Sequence, residues 1–162
     1  MKRYKISSLK KHVINIFRMI SGIYLLFLIY VFFLHPDRTG GAFYNFIPFK
    51  TITEYIIMYD KMNFDTWFLN LFGNIILFIP FGFLLPILSK KFKNIFKIVY
   101  ILPIASLIIE ILEYTLEIGS FDVDDILLNT IGGLIGYYIF LITKSSYEYL
   151  MKRKLKIRVK DF

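Results

Sequence analysis

Four long apolar runs, separated by short polar segments, constrain this chain more than any other feature of its sequence. They cover residues 16–34, 67–88, 98–116 and 125–143, each roughly the 20 residues that a helix needs to cross a bilayer. The whole chain is 57% hydrophobic, above the ~45–50% apolar content of typical soluble domains. The sequence therefore predicts an all-α membrane protein, a single domain built as a bundle of about four transmembrane helices.

Lysine and arginine residues fall almost entirely on one side of the predicted membrane. The N-terminus (1–15), the loop between the second and third runs, and the tail (144–162) together hold 16 of them. The other side holds three, which are Arg38, Lys50 and Lys61. Because cytoplasmic segments carry the excess of basic residues, we expect both termini to be cytoplasmic.

Composition also excludes several functional classes. The formal net charge is +8, but the basic residues border the apolar runs and form no patch with base-reading side chains. Lipid headgroups, rather than nucleic acid, are therefore the predicted partner. The chain has no cysteine, which excludes disulfides and thiolate chemistry. It also lacks the HExxH, P-loop and Ser-His-Asp patterns.

The segment between the first two runs contains a short amphipathic pattern. Apolar and aromatic residues recur at helical spacing at Ile52, Tyr55 and Ile56, with polar residues between them. This spacing predicts a short helix in the first outer loop, lying in the membrane interface with these three side chains toward the acyl chains.

The predicted orientation brings several polar residues of the spans to the outer end of the bundle. Positions 110, 113 and 117 share one helix face, and Glu110 lies about 10 Å deeper than Glu117 at ~1.5 Å per residue. A carboxyl facing lipid at that depth is costly, so Glu110 is expected to face the bundle and is a functional-site candidate. The other polar residues at this end are Asn70, Asn74, Glu113, Asp125 and Asn129.

Two chemistries suit this set of residues. The carboxylates of Asp122, Asp124 and Asp125 are candidate ligands for a divalent cation that holds a phosphate headgroup. Alternatively, Glu110 or Asp125 is a candidate general acid or base in an enzyme acting on a lipid headgroup. The alternative is that these polar residues and glycines have a purely structural role. Amides join transmembrane helices by hydrogen bonds, and Gly132-x-x-x-Gly136 is a close-packing pattern.

Four sequence blocks, in this order, resemble the VanZ-like family of small bacterial membrane proteins. They are residues 45–49 (NFIPF), 70–86 (NLFGNIILFIPFGFLLP), 109–113 (IEILE) and 121–133 (FDVDDILLNTIGG). The resemblance covers roughly residues 38–140. It implies a cell-envelope role, and the family's namesake is linked to reduced susceptibility to teicoplanin-type glycopeptide antibiotics.

The resemblance also implies a set of recurring polar positions. Two positions depart from the family pattern, because Glu113 stands where glutamine is usual and Gly119 stands near a usual arginine. The matching positions in this chain are Arg38, Asn45, Asn70, Asn74, Glu110, Asp122, Asp125 and Asn129.

Together these features predict a VanZ-like protein of the bacterial plasma membrane with an outward-facing polar pocket. The expected ligand is a cell-envelope lipid, a peptidoglycan precursor or a lipoglycopeptide-type antibiotic. A membrane enzyme and a small transporter remain the alternatives, and the sequence leaves the oligomeric state open.

Overall fold

A computed structural model of the chain describes residues 2–35 and 43–160, with side chains within 11–35 and 43–153. A π-helical turn, Tyr30–Leu34, extends the first helix, and short 3₁₀ turns follow the second and third. In chain order the main elements are α1 (Lys2–Ile29), β1 (Tyr44–Asn45), α2 (Lys50–Ile57), α3 (Phe64–Leu88), α4 (Ile95–Thr115), β2 (Phe121–Asp122) and α5 (Val123–Lys160).

Within the described residues, four helical segments are long and apolar enough to cross a membrane. They are Lys11–Leu34, Phe64–Leu88, Ile95–Thr115 and Val123–Arg153. The shortest has 21 residues, which gives about 31 Å of helix at ~1.5 Å per residue, against a hydrocarbon core of ~30 Å. The four-helix membrane fold, with the additional short helix α2, is therefore confirmed.

Helices α3 and α5 run side by side in the same direction, with their backbones almost in contact. A Cβ at Gly132 would lie 2.1 Å from the Ile75 carbonyl oxygen, and one at Gly136 would lie 1.9 Å from that of Ile79. The two contacts are four residues apart on each helix, so the same close approach occurs in two successive helical turns. Only glycine permits such an approach, and the pattern Gly132-x-x-x-Gly136 forms the centre of the bundle.

Helix α4 completes a three-helix core, and α1 packs at its edge. Leu102 of α4 fills the space over Gly133, where a Cβ would meet its side chain at 2.4 Å. On the other side of α3, Leu28 and Phe32 of α1 pack against Phe78. Most of the remaining α1 surface is apolar and exposed, as expected for a helix that faces lipid.

Helix α5 continues well past the predicted end of the fourth span. It reaches Lys160, whereas the apolar run ends at 143. After Gly136 the described helix contains no further glycine or proline to interrupt it, and good helix formers such as lysine and leucine are frequent. An i,i+4 pair between Lys144 and Glu148, with an N–O distance of 3.9 Å, supports this extension.

A two-residue parallel ladder joins the segment before α2 to the loop between α4 and α5. Tyr44 pairs with Phe121 and Asn45 pairs with Asp122. The ladder holds the loop before α2 against the loop between α4 and α5. As a result α2 lies across the end of the bundle where α3 and α5 begin, and with the loop before it forms a roof there.

Candidate functional site

A partly open cavity of about 680 Å³ lies beneath this roof, among α1, α3, α4 and α5. It extends along α3 as far as Leu77, and loop residues such as Phe43 and Ser120 line its other end. Its polar lining residues are His35, Thr51, Tyr55, Asn70, Asn74, Glu113, Ser120, Asp122 and Asp125.

Five of the residues named by sequence reasoning meet in this cavity. Asn70 and Asn74 lie one turn apart on α3, so both amides face the same side. Glu113 comes from α4, Asp125 from the first turn of α5, and Asp122 from the ladder. Residues from four separate elements thus surround one space.

Asp122 contributes to the cavity wall and also holds the roof. Its Oδ1 accepts hydrogen bonds from the Asn45 amide at 3.0 Å and from the Asp124 backbone N–H at 2.8 Å. Its Oδ2 accepts one from the Thr51 hydroxyl at 2.5 Å. Asn45 also donates to Thr51 at 3.1 Å and accepts from the Ile47 N–H at 3.0 Å. Asn45 therefore supports the site through Asp122, from outside the lining.

Asp124 is fully buried, and its carboxylate caps the start of α2 from another part of the chain. Oδ1 accepts the Phe49 N–H at 2.5 Å and Oδ2 accepts the Ile52 N–H at 3.2 Å. Phe49 precedes the helix in a left-handed conformation with φ of 66°, and no side chain of α2 itself caps this end. A carboxylate is favourable there because it meets unpaired backbone donors and the positive end of the helix dipole.

Glu110 lies behind the cavity wall. Its side chain is 2% exposed, and Oε2 accepts the Asp122 N–H at 3.0 Å. It faces the bundle, as the sequence predicts, but it is not among the residues that line the cavity. In this structure Glu110 acts on the site through the backbone of Asp122.

Asn129 lies apart from the cavity. It is fully buried between α4 and α5, where its amide donates to the Ser106 hydroxyl at 2.8 Å. Its Oδ1 is buried and has no hydrogen-bond partner among the described residues. This geometry is that of an interhelical hydrogen bond. Arg38, the other polar position that the resemblance implies, lies outside the described residues.

Tyr55 was predicted to face lipid and instead lines the cavity, so that prediction was wrong. Ile56, the next residue, is exposed and Ile52 is half-buried, and their contact with acyl chains stays a prediction. Thr51 and Tyr55 are one turn apart on α2, and this spacing marks the face that covers the cavity. Burial, followed by the negative charges of Asp125, Asp122 and Glu54, raises the pKa of Tyr55 above its usual value. The phenol therefore stays protonated at neutral pH and can donate a hydrogen bond.

The three aspartates predicted as cation ligands have different surroundings in the structure. The described residues include no group of three or more histidine or acidic side chains arranged to hold a metal ion. Both carboxylate oxygens of Asp124 accept backbone N–H groups at the start of α2. Those of Asp122 accept hydrogen bonds from Asn45 of β1 and Thr51 of α2. Asp125 faces the cavity. The divalent-cation site stays a prediction.

The two departures from the family pattern lie side by side. A Cβ at Gly119 would lie 3.0 Å from Oε2 of Glu113 and 3.1 Å from its Cβ. Any larger side chain at position 119 would displace Glu113 or contact its carboxylate. Glycine therefore leaves the Glu113 side chain in place against the cavity.

The lining combines acceptors and donors in a partly water-excluded space. An ionised carboxylate accepts at about four lone-pair positions, whereas each asparagine amide both donates and accepts. Glu113 and Asp125 supply carboxyl groups, Asn70 and Asn74 supply amides, and Tyr55 supplies a hydroxyl. Hydrogen bonds to ionised groups are about twice as strong as neutral ones. The arrangement suits a polar group that carries several hydrogen-bond donors.

The family relationship follows from comparison with known proteins. The model of the VanZ/LLP1 family matches residues 21–144. The chain is also 33% identical over 88 residues to "Protein VanZ" of Enterococcus faecium. This match covers 54% of the chain and 52% of the relative, so the chain spans about half the length of that relative. No solved structure matches it significantly. Because the family model matches more than half of the chain, from within α1 to within α5, the chain belongs to the VanZ/LLP1 family.

Proposed function

We propose that this protein binds the polar head of a cell-envelope lipid, a peptidoglycan precursor or a lipoglycopeptide-type antibiotic in its outer cavity. The observation that carries the proposal is the convergence of carboxylates, amides and a tyrosine on one space of about 680 Å³. Pockets of roughly 300–1,000 Å³ are typical of sites for small ligands. Polar groups that meet at the end of a membrane bundle mark functional sites by default.

The proposed orientation places the cavity at the outer surface of the bacterial plasma membrane. Sixteen basic residues lie on the side of the two termini and three lie on the side of the cavity. Moving that many charges across the membrane would violate the positive-inside rule, which is strongest for short loops like these. The cavity then faces the compartment where envelope precursors and glycopeptides are found.

The proposed consequence is reduced susceptibility to glycopeptides, the trait that the family resemblance implies. An enzyme acting on a lipid headgroup is the second candidate. It is supported by Asp125 in the lining, with the buried carboxyl of Glu110 directly behind Asp122. Asp125 would contact the substrate in that case, whereas Glu110 would hold the backbone of Asp122, which forms part of the cavity wall, in position.

The experiment compares the unmodified protein with the cavity variants Asp125→Asn and Asn74→Ala and with Glu117→Gln, expressed at matched membrane levels in a susceptible bacterium. Glu117 is exposed and lies outside the lining, so it serves as the matched control. We expect the two cavity variants to lose teicoplanin and lipoglycopeptide protection, and Glu117→Gln to retain it. Mass spectrometry of the lipids that co-purify with each variant reports binding directly.

The outcomes separate the two candidates. A retained lipid that disappears in Asp125→Asn, with no new lipid product in the membrane, supports binding. A modified lipid that depends on Asp125 supports the enzyme. If both cavity variants protect cells and retain lipid as well as the unmodified protein does, the cavity has no role in the function.

A further inference from the structure

Asn70 and Asn74 of α3 differ from Asn129 of α5 in what they contact. Asn129 is fully buried and donates to Ser106 across the α4–α5 interface, so it joins two helices. Asn70 and Asn74 line the cavity, and neither side chain makes a hydrogen bond to the described residues. Asn74 lies about 15 Å from the start of α3 at Phe64, at ~1.5 Å per residue. A polar side chain at such depth in a span is costly unless it is hydrogen-bonded. The partners of these two amides must therefore come from the contents of the cavity.

Gly73 lies between the two amides and leaves the α3 backbone open to the cavity. Apart from its chain neighbours and its own helix backbone, a Cβ at this position would meet no atom within 4 Å. The glycines of the α3–α5 contact differ, because a Cβ at Gly132 or Gly136 would lie within 2.1 Å of an α3 carbonyl oxygen. Glycine is also a poor helix former, so Gly73 contributes neither a packing contact nor helix stability. Its missing side chain provides space for a ligand beside the amides.

Two hydroxyl groups complete an uncharged set of hydrogen-bonding groups in the lining. The hydroxyls of Tyr55 and Ser120 also make no hydrogen bond within the part of the chain that the structure describes. The hydroxyl of Thr51, by contrast, donates to Asp122. An amide and a hydroxyl each donate and accept hydrogen bonds. These uncharged groups therefore offer a ligand both donors and acceptors.

We propose that the α3 wall of the cavity binds an uncharged part of the ligand that carries both hydrogen-bond donors and acceptors, such as sugar hydroxyls or peptide groups. Gly73 sets how closely this part approaches the helix. The proposal rests on the proposed function and deepens it by naming the chemistry that the α3 wall recognises. Side chains one turn apart are about 5–6 Å from Cβ to Cβ, so both amides can contact one sugar residue or one dipeptide unit. A bare phosphate headgroup, in contrast, presents mainly acceptor oxygens.

The test changes the wall without removing a packing contact. Gly73→Leu fills the space beside the amides, and Gly73→Ala fills part of it. Gly22→Leu is the matched control, because a Cβ at Gly22 also has open space and Gly22 does not line the cavity. Asn74→Leu removes one amide at nearly the same side-chain size. Thermal unfolding verifies that each variant folds, and none of these substitutions is expected to lower the midpoint.

The expected losses are graded. Asn74→Leu should lower ligand retention about three- to tenfold, the effect of one neutral hydrogen bond. Gly73→Leu should lower it by roughly tenfold or more, because the added side chain keeps the ligand from both amides. Gly73→Ala should fall between Gly73→Leu and the unmodified protein, whereas Gly22→Leu should match the unmodified protein.

Each purified full-length variant is incubated with vesicles of total lipids from the expression host, in three preparations. One is supplemented with the lipid-linked peptidoglycan precursor, one with teicoplanin and one with phosphatidic acid, and the protein is re-isolated and its bound molecules are quantified by mass spectrometry. We expect the precursor or teicoplanin to be enriched over phosphatidic acid, and the two preparations identify which of them is the source.

Two results would overturn the proposal and leave the proposed function intact. The first is preferential retention of phosphatidic acid. The second is retention that falls in Asp125→Asn but is unchanged in Gly73→Leu and Asn74→Leu. If the unmodified protein enriches no molecule from any of the three preparations, both the proposal and the proposed function are overturned.

Discussion

Asp124→Asn is expected to loosen the roof of the cavity while the transmembrane bundle stays folded. The buried carboxylate accepts two backbone N–H groups at the start of α2, from Phe49 and Ile52. Asparagine keeps a side chain of nearly the same shape but offers only one acceptor oxygen. One hydrogen bond and the negative charge are lost, and an amide N–H₂ group meets a backbone donor.

The size of the effect follows from these contacts. A hydrogen bond to a charged group contributes about 1.5–3 kcal/mol, and a carboxylate at a helix N-terminus adds about 0.3–1 kcal/mol. We therefore expect Asp124→Asn to weaken the docking of α2 by roughly 2–4 kcal/mol. A loss of ~2.8 kcal/mol lowers the docked-to-undocked ratio about a hundredfold. The ladder and the hydrogen bond from Asn45 to Asp122 remain, so the loop separates from the bundle only around α2.

Trp67 reports this change because it is the one tryptophan in the chain. Its indole N–H donates to the Tyr55 carbonyl of α2 at 3.0 Å, and its ring centre lies 5.6 Å from that of Tyr59. Undocking of α2 removes these contacts and exposes the indole. In Asp124→Asn we expect a red-shifted emission and stronger quenching by acrylamide, and neither change in the control Glu117→Gln. Unchanged emission and quenching in Asp124→Asn would refute the capping role.

Three further predictions test the bundle and its orientation. Gly136→Ala should lower the free energy of unfolding by about 1–3 kcal/mol, because its Cβ would overlap the α3 backbone. The control Gly22→Ala should leave the thermal midpoint unchanged, and a Gly136→Ala midpoint equal to that of the unmodified protein would contradict the close α3–α5 packing. Ser106→Ala removes an interhelical hydrogen bond and should cost about 0.6–1.7 kcal/mol in chemical unfolding; a gain in stability would contradict it. A cysteine at Ser120 should react with an impermeant maleimide in intact cells and one at Ser89 should not, whereas the reverse order would overturn the predicted orientation.

The four-helix fold is predictable from the sequence because the apolar runs leave the chain few alternatives. A stretch of about 20 apolar residues must satisfy its backbone hydrogen bonds internally, and a helix does so without a partner. The close α3–α5 packing was also signalled, by Gly132-x-x-x-Gly136. The burial of Glu110 followed from the cost of placing a carboxyl against lipid. These inferences depend on local sequence and on the membrane as solvent.

The roof could not be predicted in the same way, because its contacts join distant parts of the chain. Asp124 caps a helix that begins more than seventy residues earlier, and no local pattern identifies such a pairing. Tyr55 was assigned to lipid because it recurs with Ile52 and Ile56 at helical spacing. Periodicity alone does not determine which of two apolar faces packs on protein. The spacing of Thr51 and Tyr55 places both side chains on one face of α2. The position of the cavity shows that this is the face that packs on the protein.

The neighbouring aspartates of the 121–133 block illustrate why proximity in sequence does not imply a shared role. Asp122 ends a short strand, whereas Asp124 and Asp125 lie in the first turn of α5. Successive helix positions point about 100° apart, so Asp124 turns toward the backbone of α2 while Asp125 turns into the cavity. Loss of function after replacing Asp124 therefore has a different cause from loss after replacing Asp125. In the first case the roof opens and Trp67 emission changes with it. In the second case the emission stays as in the unmodified protein while ligand retention falls, and this pair of measurements separates a carboxylate that shapes the site from one that meets the ligand.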